Sequence, residues 1–313
     1  MIHSNSIKQL HPTHNGSGDT VKSALSENLS QKNLPIQTIS EQIGDKNYVY
    51  NQSGNRSGKA IVHLHGLVGF KENFCAQMSD PQLADYNHLA FDLHTDIQPN
   101  KKLHDRHELL RYIYDFLQAK GLQKKKIVLH GVSLGGEFAY KFAAKYPTMV
   151  DKVILSGASG LQHENLKFAN IAIAKKLASN KTVVRGLICR QFENPEKIKD
   201  TIDILFEQIF ALLNSKEGSQ WVVALAKHTQ KCDIQQNIEA IASLAEKQIP
   251  IHLLWGEKDT ITSYKKVVPK FIEAGGIPQQ HVHTFNTGHI PNLECAPEYN
   301  KILASIIKEN SSD

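Results

Sequence analysis

The run Gly131-Val132-Ser133-Leu134-Gly135, with Gly136 directly behind it, is the most chemically suggestive stretch of the chain. A serine hydroxyl is a weak nucleophile until a neighbouring base takes its proton. It must also be exposed, and G-x-S-x-G meets that need. The serine sits on a strained strand-to-helix turn, and glycines two positions either side let the backbone bend sharply. The flanks agree: Lys126 to Gly131 (KIVLHG) reads as a buried strand and Leu134 to Tyr146 as an amphipathic helix, stopped by Pro147. Such a turn lifts Oγ at the carboxyl edge of a sheet. It also points the Leu134 N–H, at a helix N-terminus, toward an oxyanion. The plainer reading is a glycine-rich turn whose serine only caps a helix. The strand before and the helix after favour the nucleophile.

The elements that must carry this turn follow from periodicity. Ile36 to Ile43 and Asn47 to Asn51, split by Gly44-Asp45, read as an opening hairpin. Strand patterns follow at Lys59 to His65 (KAIVHLH), His88 to Leu93, the KIVLHG run and Val153 to Ser156. Leu103 to Ala119 shows helical spacing, ended by Gly121. Strands alternating with helices imply an α/β fold, a mostly parallel sheet covered by helices on both faces. From about Leu161 to Glu246 no strand pattern appears. Helical patterns stand instead at Leu166 to Ala178, Ile198 to Leu213, Trp221 to Lys227 and Ile238 to Lys247. A helical cap inserted after the sixth strand is the economical account. Alternation then resumes with strand Ile251 to Trp255, helix Tyr264 to Glu273, strand His281 to Phe285 and helix Pro297 to Lys308. The expected organisation is a flexible polar tail over residues 1–35, a first core part over 36–160, the cap over 161–247 and a second core part over 248–313.

With these motifs in place the chain resembles the α/β-hydrolase superfamily, over about residues 36 to 310. His65-Gly66-Leu67-Val68-Gly69, straight after a strand, is similar to that family's H-G-x-x-G loop. The resemblance makes the Leu67 N–H the second oxyanion donor beside Leu134, with His65 bracing the loop and His63 a strand residue. Each such donor is worth roughly 3–4 kcal/mol in mutational precedent. Gly256-Glu257-Lys258-Asp259 resembles the family's G-x-x-D, which makes Asp259 the carboxylate that orients the catalytic histidine. Its plainer role is a helix cap, and Glu257 is the fallback carboxylate. Asn286-Thr287-Gly288-His289 resembles the family's G-H, with His289 as general base, and completes the order Ser, Asp, His. One segment departs: Asp92 matches the start of the family's D-x-x-G-x-G-x-S, but its glycines and serine are missing.

The implied mechanism is two-step acyl transfer by Ser133, His289 and Asp259 with an acyl-enzyme intermediate, needing neither metal nor organic cofactor. A carboxylic ester of a small or medium apolar acid is the first substrate choice. Cap stripes such as Leu166, Phe168, Ile204, Leu205, Ile209 and Phe210 either line its pocket or pack the cap helices together. Carbon–carbon hydrolysis of a vinylogous diketone, as in meta-cleavage relatives, is the enzymatic rival. A non-catalytic ligand-binding member of the fold is the rival from another class.

Composition sets the outer bounds. The 313 residues are 41% hydrophobic and 21% charged, ordinary for a soluble globular chain. A net charge of +5, with Lys124 to Lys126 the one basic triplet, is no nucleic-acid footprint. Cys75, Cys189, Cys232 and Cys295 form no C-x-x-C pair, and His3, His11 and His14 in the tail fit no closed metal site. Asp105, His107, Glu108 and Arg111 read as a solvated helix face. No run reaches the about 18 apolar residues of a membrane helix, and Met1 to Gln37 lacks signal-peptide regions. Those features point to a cytoplasmic protein with a small-molecule substrate, although export without a cleaved signal would leave no such trace. A weak homo-oligomer stays open.

Overall fold

The structure, a computed structural model, describes residues 34–93, 106–163, 178–230 and 232–309. Its strands are β1 (Gln37–Ile43), β2 (Lys46–Gly54), β3 (Ala60–Leu64), β4 (Asn87–Phe91), β5 (Ile127–Val132), β6 (Val150–Ser156), β7 (Ile251–Gly256) and β8 (Val282–Phe285). They form one 8-stranded sheet in the order β1-β2-β4-β3-β5-β6-β7-β8. The β1–β2 hairpin turns at Gly44, at φ 61°, with Ile43 opposite Lys46. β2 pairs antiparallel with β4, and all later pairings are parallel. This is the mostly parallel α/β sheet expected from the alternating pattern.

The longer helices among the described residues are α1 (Arg106–Ala119), α2 (Leu134–Lys145), α3 (Lys181–Cys189), α4 (Lys199–Asn214), α5 (Lys216–Gln230), α6 (Ile234–Glu246), α7 (Tyr264–Gly275) and α8 (Ala296–Lys308). Successive residues of a strand face opposite sides, and the buried runs of β3 and β5 use both. Val62, Leu64, Leu129, Leu155 and Leu253 join Phe138 and Phe142 of α2 and Phe271 of α7 on one side. Ile61, Val128, Ile154 and Leu254 meet Tyr299, Leu303 and Ile307 of α8 on the other. The register aligns the carboxyl ends. Leu64 lies opposite Gly131 and Val132 opposite Ser156, so the residues that follow each strand gather at one edge.

Between β6 and β7 the chain departs from strand–helix alternation. α3 and α4 bury Val184, Ile188, Ile202, Leu205, Phe206 and Ile209 in one cluster with Phe70, Val132 and Ile290 at the carboxyl edge. α6, inside the interval read as cap, buries Ile241 and Leu244 with the α2 and α7 residues of the main core. An apolar stripe on a helix fixes which face is buried but not its partner, so periodicity gave α6 no separate place. α5 extends beyond the expected Trp221 to Lys227, because its first turn, Lys216-Glu217-Gly218, carries no apolar signal. The helical pattern from Leu166, the start of the one from Leu103 and residues 1–33 of the tail lie outside the described residues.

Candidate active site

Ser133 links β5 directly to α2 with φ 55° and ψ −120°. A non-glycine residue in such a conformation costs on the order of 1–3 kcal/mol, which the surroundings must offset. The Ser133 N–H donates to Ser156 O at 2.9 Å, and its carbonyl accepts from Gly136 N at 3.0 Å and Ser159 N at 3.1 Å. The glycines are needed for close approach: a Cβ on Gly135 would stand 2.0 Å from Leu64 O, and one on Gly131 2.4 Å from Gly135 O.

The loop after β3 lies against this elbow, since a Cβ on Gly66 would be 3.2 Å from Ser133 Cβ. His65 is buried and spans the loop, its Nδ1 2.7 Å from Gly66 O and its Nε2 accepting from Leu93 N–H at 2.9 Å. That tautomer makes it a brace with both nitrogens committed. Asp92 is fully buried and accepts from the Lys71 backbone N–H at 2.7 Å and from Lys71 Nζ at 2.9 Å. Asp92 and its neighbour Glu72 hold the Lys71 ammonium above its ordinary pKa against the effect of burial. The residue that began the departing segment thus anchors the far end of the glycine loop. Among the described residues, neither the Leu67 nor the Leu134 N–H donates to a backbone carbonyl.

Asp259 and His289 meet after β7 and β8. Asp259 Oδ2 accepts from His289 Nδ1 at 2.8 Å, and both residues are buried. Asp259 Oδ1 accepts the N–H groups of Ile261 at 2.8 Å and Thr262 at 2.9 Å, so the carboxylate cannot swing. This bond fixes the tautomer of His289, with its proton on Nδ1 and its basic lone pair on Nε2. His289 and the elbow flank the end of β6: Ser156 O holds the Ser133 N–H, and a Cβ on Gly157 would lie 3.0 Å from His289 Nδ1. Glu257, the fallback carboxylate, instead accepts from the Thr284 hydroxyl at 2.9 Å at an exposed position.

Three partners of this centre were not read from the sequence. The Thr262 hydroxyl stands 2.8 Å from both Asp259 Oδ2 and Gly157 O. Gln191 O, in the segment after α3, accepts the His289 N–H at 2.6 Å. Glu294 accepts the Gly288 N–H at 2.8 Å. Thr262, three residues beyond Asp259, had a signal in its spacing; Gln191 had none. Elsewhere the plain readings stand: Arg111 pairs with Asp115 along α1, and Cys232 is buried with its thiol 3.6 Å from Gln162 O. His252, His281 and Glu309 converge at the amino ends of β7 and β8, opposite the carboxyl edge that carries Ser133. The two imidazoles there stack at 4.0 Å beside Lys152, an arrangement suited to ring packing and not to tetrahedral ligation.

A sheet of this order, carrying a serine elbow after β5 and a bonded Asp–His pair after β7 and β8, defines an α/β-hydrolase. The chain belongs to the family described as serine aminopeptidase, S33 (Hydrolase_4), whose model it matches over residues 59–289. Lipase 1 of Psychrobacter immobilis is 26% identical over 294 residues, covering 90% of this chain and 86% of that protein. Lipase 3 of Moraxella sp. (strain TA144) is 25% identical over 295 residues, covering 90% of this chain and 87% of that one. The solved 2-hydroxy-6-oxo-6-phenylhexa-2,4-dienoate hydrolase of Rhodococcus sp. strain RHA1 shares the fold at TM-score 0.72 and 18% identity, covering 88% of this chain and 100% of the other. No helix among the described residues is long and apolar enough to cross a membrane.

Proposed function

We propose that this enzyme is a serine esterase that hydrolyses carboxylic esters of small or medium apolar acids. The carrying observation is the 2.8 Å bond between His289 Nδ1 and Asp259 beside a serine held at φ 55°. His289 Nε2 takes the Ser133 proton, Oγ attacks the ester carbonyl, and the N–H groups of Leu67 and Leu134 receive the oxyanion. The alcohol departs with the proton from His289, and water activated by the same imidazole releases the acid. The lipase names of the two curated relatives support an ester over the amide that the family's description suggests. An apolar acyl group is supported by the cluster of Phe70, Val132, Val184, Phe192, Leu205 and Ile290, of which Val132 and Ile290 adjoin Ser133 and His289 in the chain. On this reading α3 and α4 are the lid of the acyl pocket.

The test is hydrolysis of p-nitrophenyl esters from acetyl to palmitoyl by the wild type and Ser133→Ala. Turnover that peaks at one chain length and vanishes in the variant is the expected result. Negligible rates for both proteins would remove ester hydrolysis and favour carbon–carbon bond cleavage or ligand binding.

A further inference from the structure

The His289 loop is held from outside the sheet, by the segment that follows α3. Gln191 O accepts the His289 N–H at 2.6 Å. The Glu294 carboxylate then spans the junction: Oε2 accepts the N–H groups of Gly288 at 2.8 Å and Glu193 at 3.1 Å, and Oε1 that of Asn194 at 2.7 Å. Both strands of the junction approach closely, since a Cβ on Gly288 would stand 2.4 Å from Gln191 O and 2.9 Å from Phe192 Cα. Phe192 is itself buried in the apolar cluster with Val184, Ile188 and Ile290. One carboxylate therefore joins the backbone of the inserted segment to the backbone beside the general base.

We infer that Glu294 is a positioning residue, a clasp through which the wall of the acyl pocket sets the placement of His289. The inference deepens the serine-esterase reading and rests on it. All three of its partners are N–H donors, so the acceptor-only character of an ionised carboxylate is required on both oxygens. Glutamine keeps the shape, but its amide NH₂ faces a backbone N–H on one side or the other, and that half of the clasp opens. Proton transfer demands placement of the imidazole to a fraction of an ångström, whereas ground-state binding of an apolar acyl chain does not. Loss of the clasp therefore falls on kcat. The requirement for glycine in Gly288-His289 has the same origin: it admits the Gln191 carbonyl.

The experiment compares wild type, Glu294→Gln and Gly288→Ala with the best p-nitrophenyl ester, together with hydrogen exchange across residues 186–196 and 285–294. Both variants are expected to lose between about tenfold and a hundredfold in kcat with KM changed less than about twofold. Exchange should rise in both segments together and not in β3 or β5. Tyr112→Phe, which removes a hydroxyl bond to Asn47 O in the distant α1 contact, controls for general destabilisation and should leave kcat unchanged. The clasp is overturned if kcat in both variants stays within about twofold of wild type. It is equally overturned if kcat falls only in proportion to a lost folded fraction. Absence of Ser133-dependent turnover in the wild type sinks the esterase reading instead, and exchange in Glu294→Gln then still shows whether the two segments are joined.

Discussion

Asp259 divides its two oxygens between two tasks, and that division determines what a single-atom change does. Oδ1 is occupied by the N–H groups of Ile261 and Thr262, and Oδ2 by His289 Nδ1. In Asp259→Asn the amide oxygen keeps the two backbone donors, which turns the NH₂ toward His289. The imidazole must then accept at Nδ1 and carry its proton on Nε2, the nitrogen that has to be empty for the serine proton. We predict a fall in kcat of about 10⁴-fold, the size seen when other triads are forced into the wrong tautomer. The melting temperature should move by no more than a few degrees, because shape and backbone bonds persist. Steady-state kinetics at neutral pH with a parallel thermal melt checks this. A loss under tenfold would remove Asp259 from the catalytic set. Sequence could distinguish Asp259 from Glu257 only through the family's spacing. The structure supplies the physical distinction, since one carboxylate is buried on the histidine and the other lies at the surface.

At the level of elements, three adjacent strands each contribute a buried histidine to one directed chain. Leu83 O can only accept, so His88 donates to it from Nε2 at 3.0 Å and accepts at Nδ1 from His63 Nε2 at 3.0 Å. His63 Nδ1 then accepts from His130 Nδ1 at 2.9 Å, and His130 Nε2 from the Tyr299 hydroxyl at 2.6 Å. Every ring is neutral and fully committed. Burial is the main cause that pushes His63 well below its ordinary pKa, His88 down to about 4 and His130 down to about 3. Native pKa values below the unfolded one of about 6.5 mean that the unfolded chain binds more protons in between. Stability is therefore full above about pH 6.5 and declines as pH falls toward 4, each ring adding a slope approaching about 1.4 kcal/mol per pH unit. Urea unfolding at pH 7, 6, 5 and 4.5 should show that decline; a flat profile between pH 6 and 4.5 would mean the rings are charged in the native state. The strands themselves were legible, because short, mostly apolar runs closed by glycine, as at Gly66, Gly131, Gly157 and Gly256, read as buried strands. That the polar members of those runs meet one another was not, since register is a property of the assembled sheet.

For the whole molecule, the edge at which Ser133, Asp259 and His289 gather could be inferred from sequence, because parallel strands with helical crossovers present all carboxyl ends together. What the segment between β6 and β7 contributes could not. Gln191 is an unremarkable polar residue in sequence, and it matters only because α3 delivers its carbonyl to the His289 N–H. The same segment is tied in by packing: Val184 and Leu205 share a cluster with Val132, while Trp221 of α5 and Ile241 of α6 share the main core with Trp255 of β7. A segment tied in this way has no interface of its own to melt, so its helices and the sheet should unfold together. The chain has two tryptophans, one on each side of that question. Trp221→Phe leaves Trp255 to report on the sheet, and Trp255→Phe leaves Trp221 to report on α5. In each variant the fluorescence midpoint should coincide with the circular-dichroism midpoint to within about 2 °C. An earlier transition seen by Trp221 alone would show the insert opening as a separate unit. The His289 loop would then lose its hold on residues 191–194 below the global melting temperature, and on the proposed mechanism activity would fall away with the Trp221 signal before the sheet unfolds.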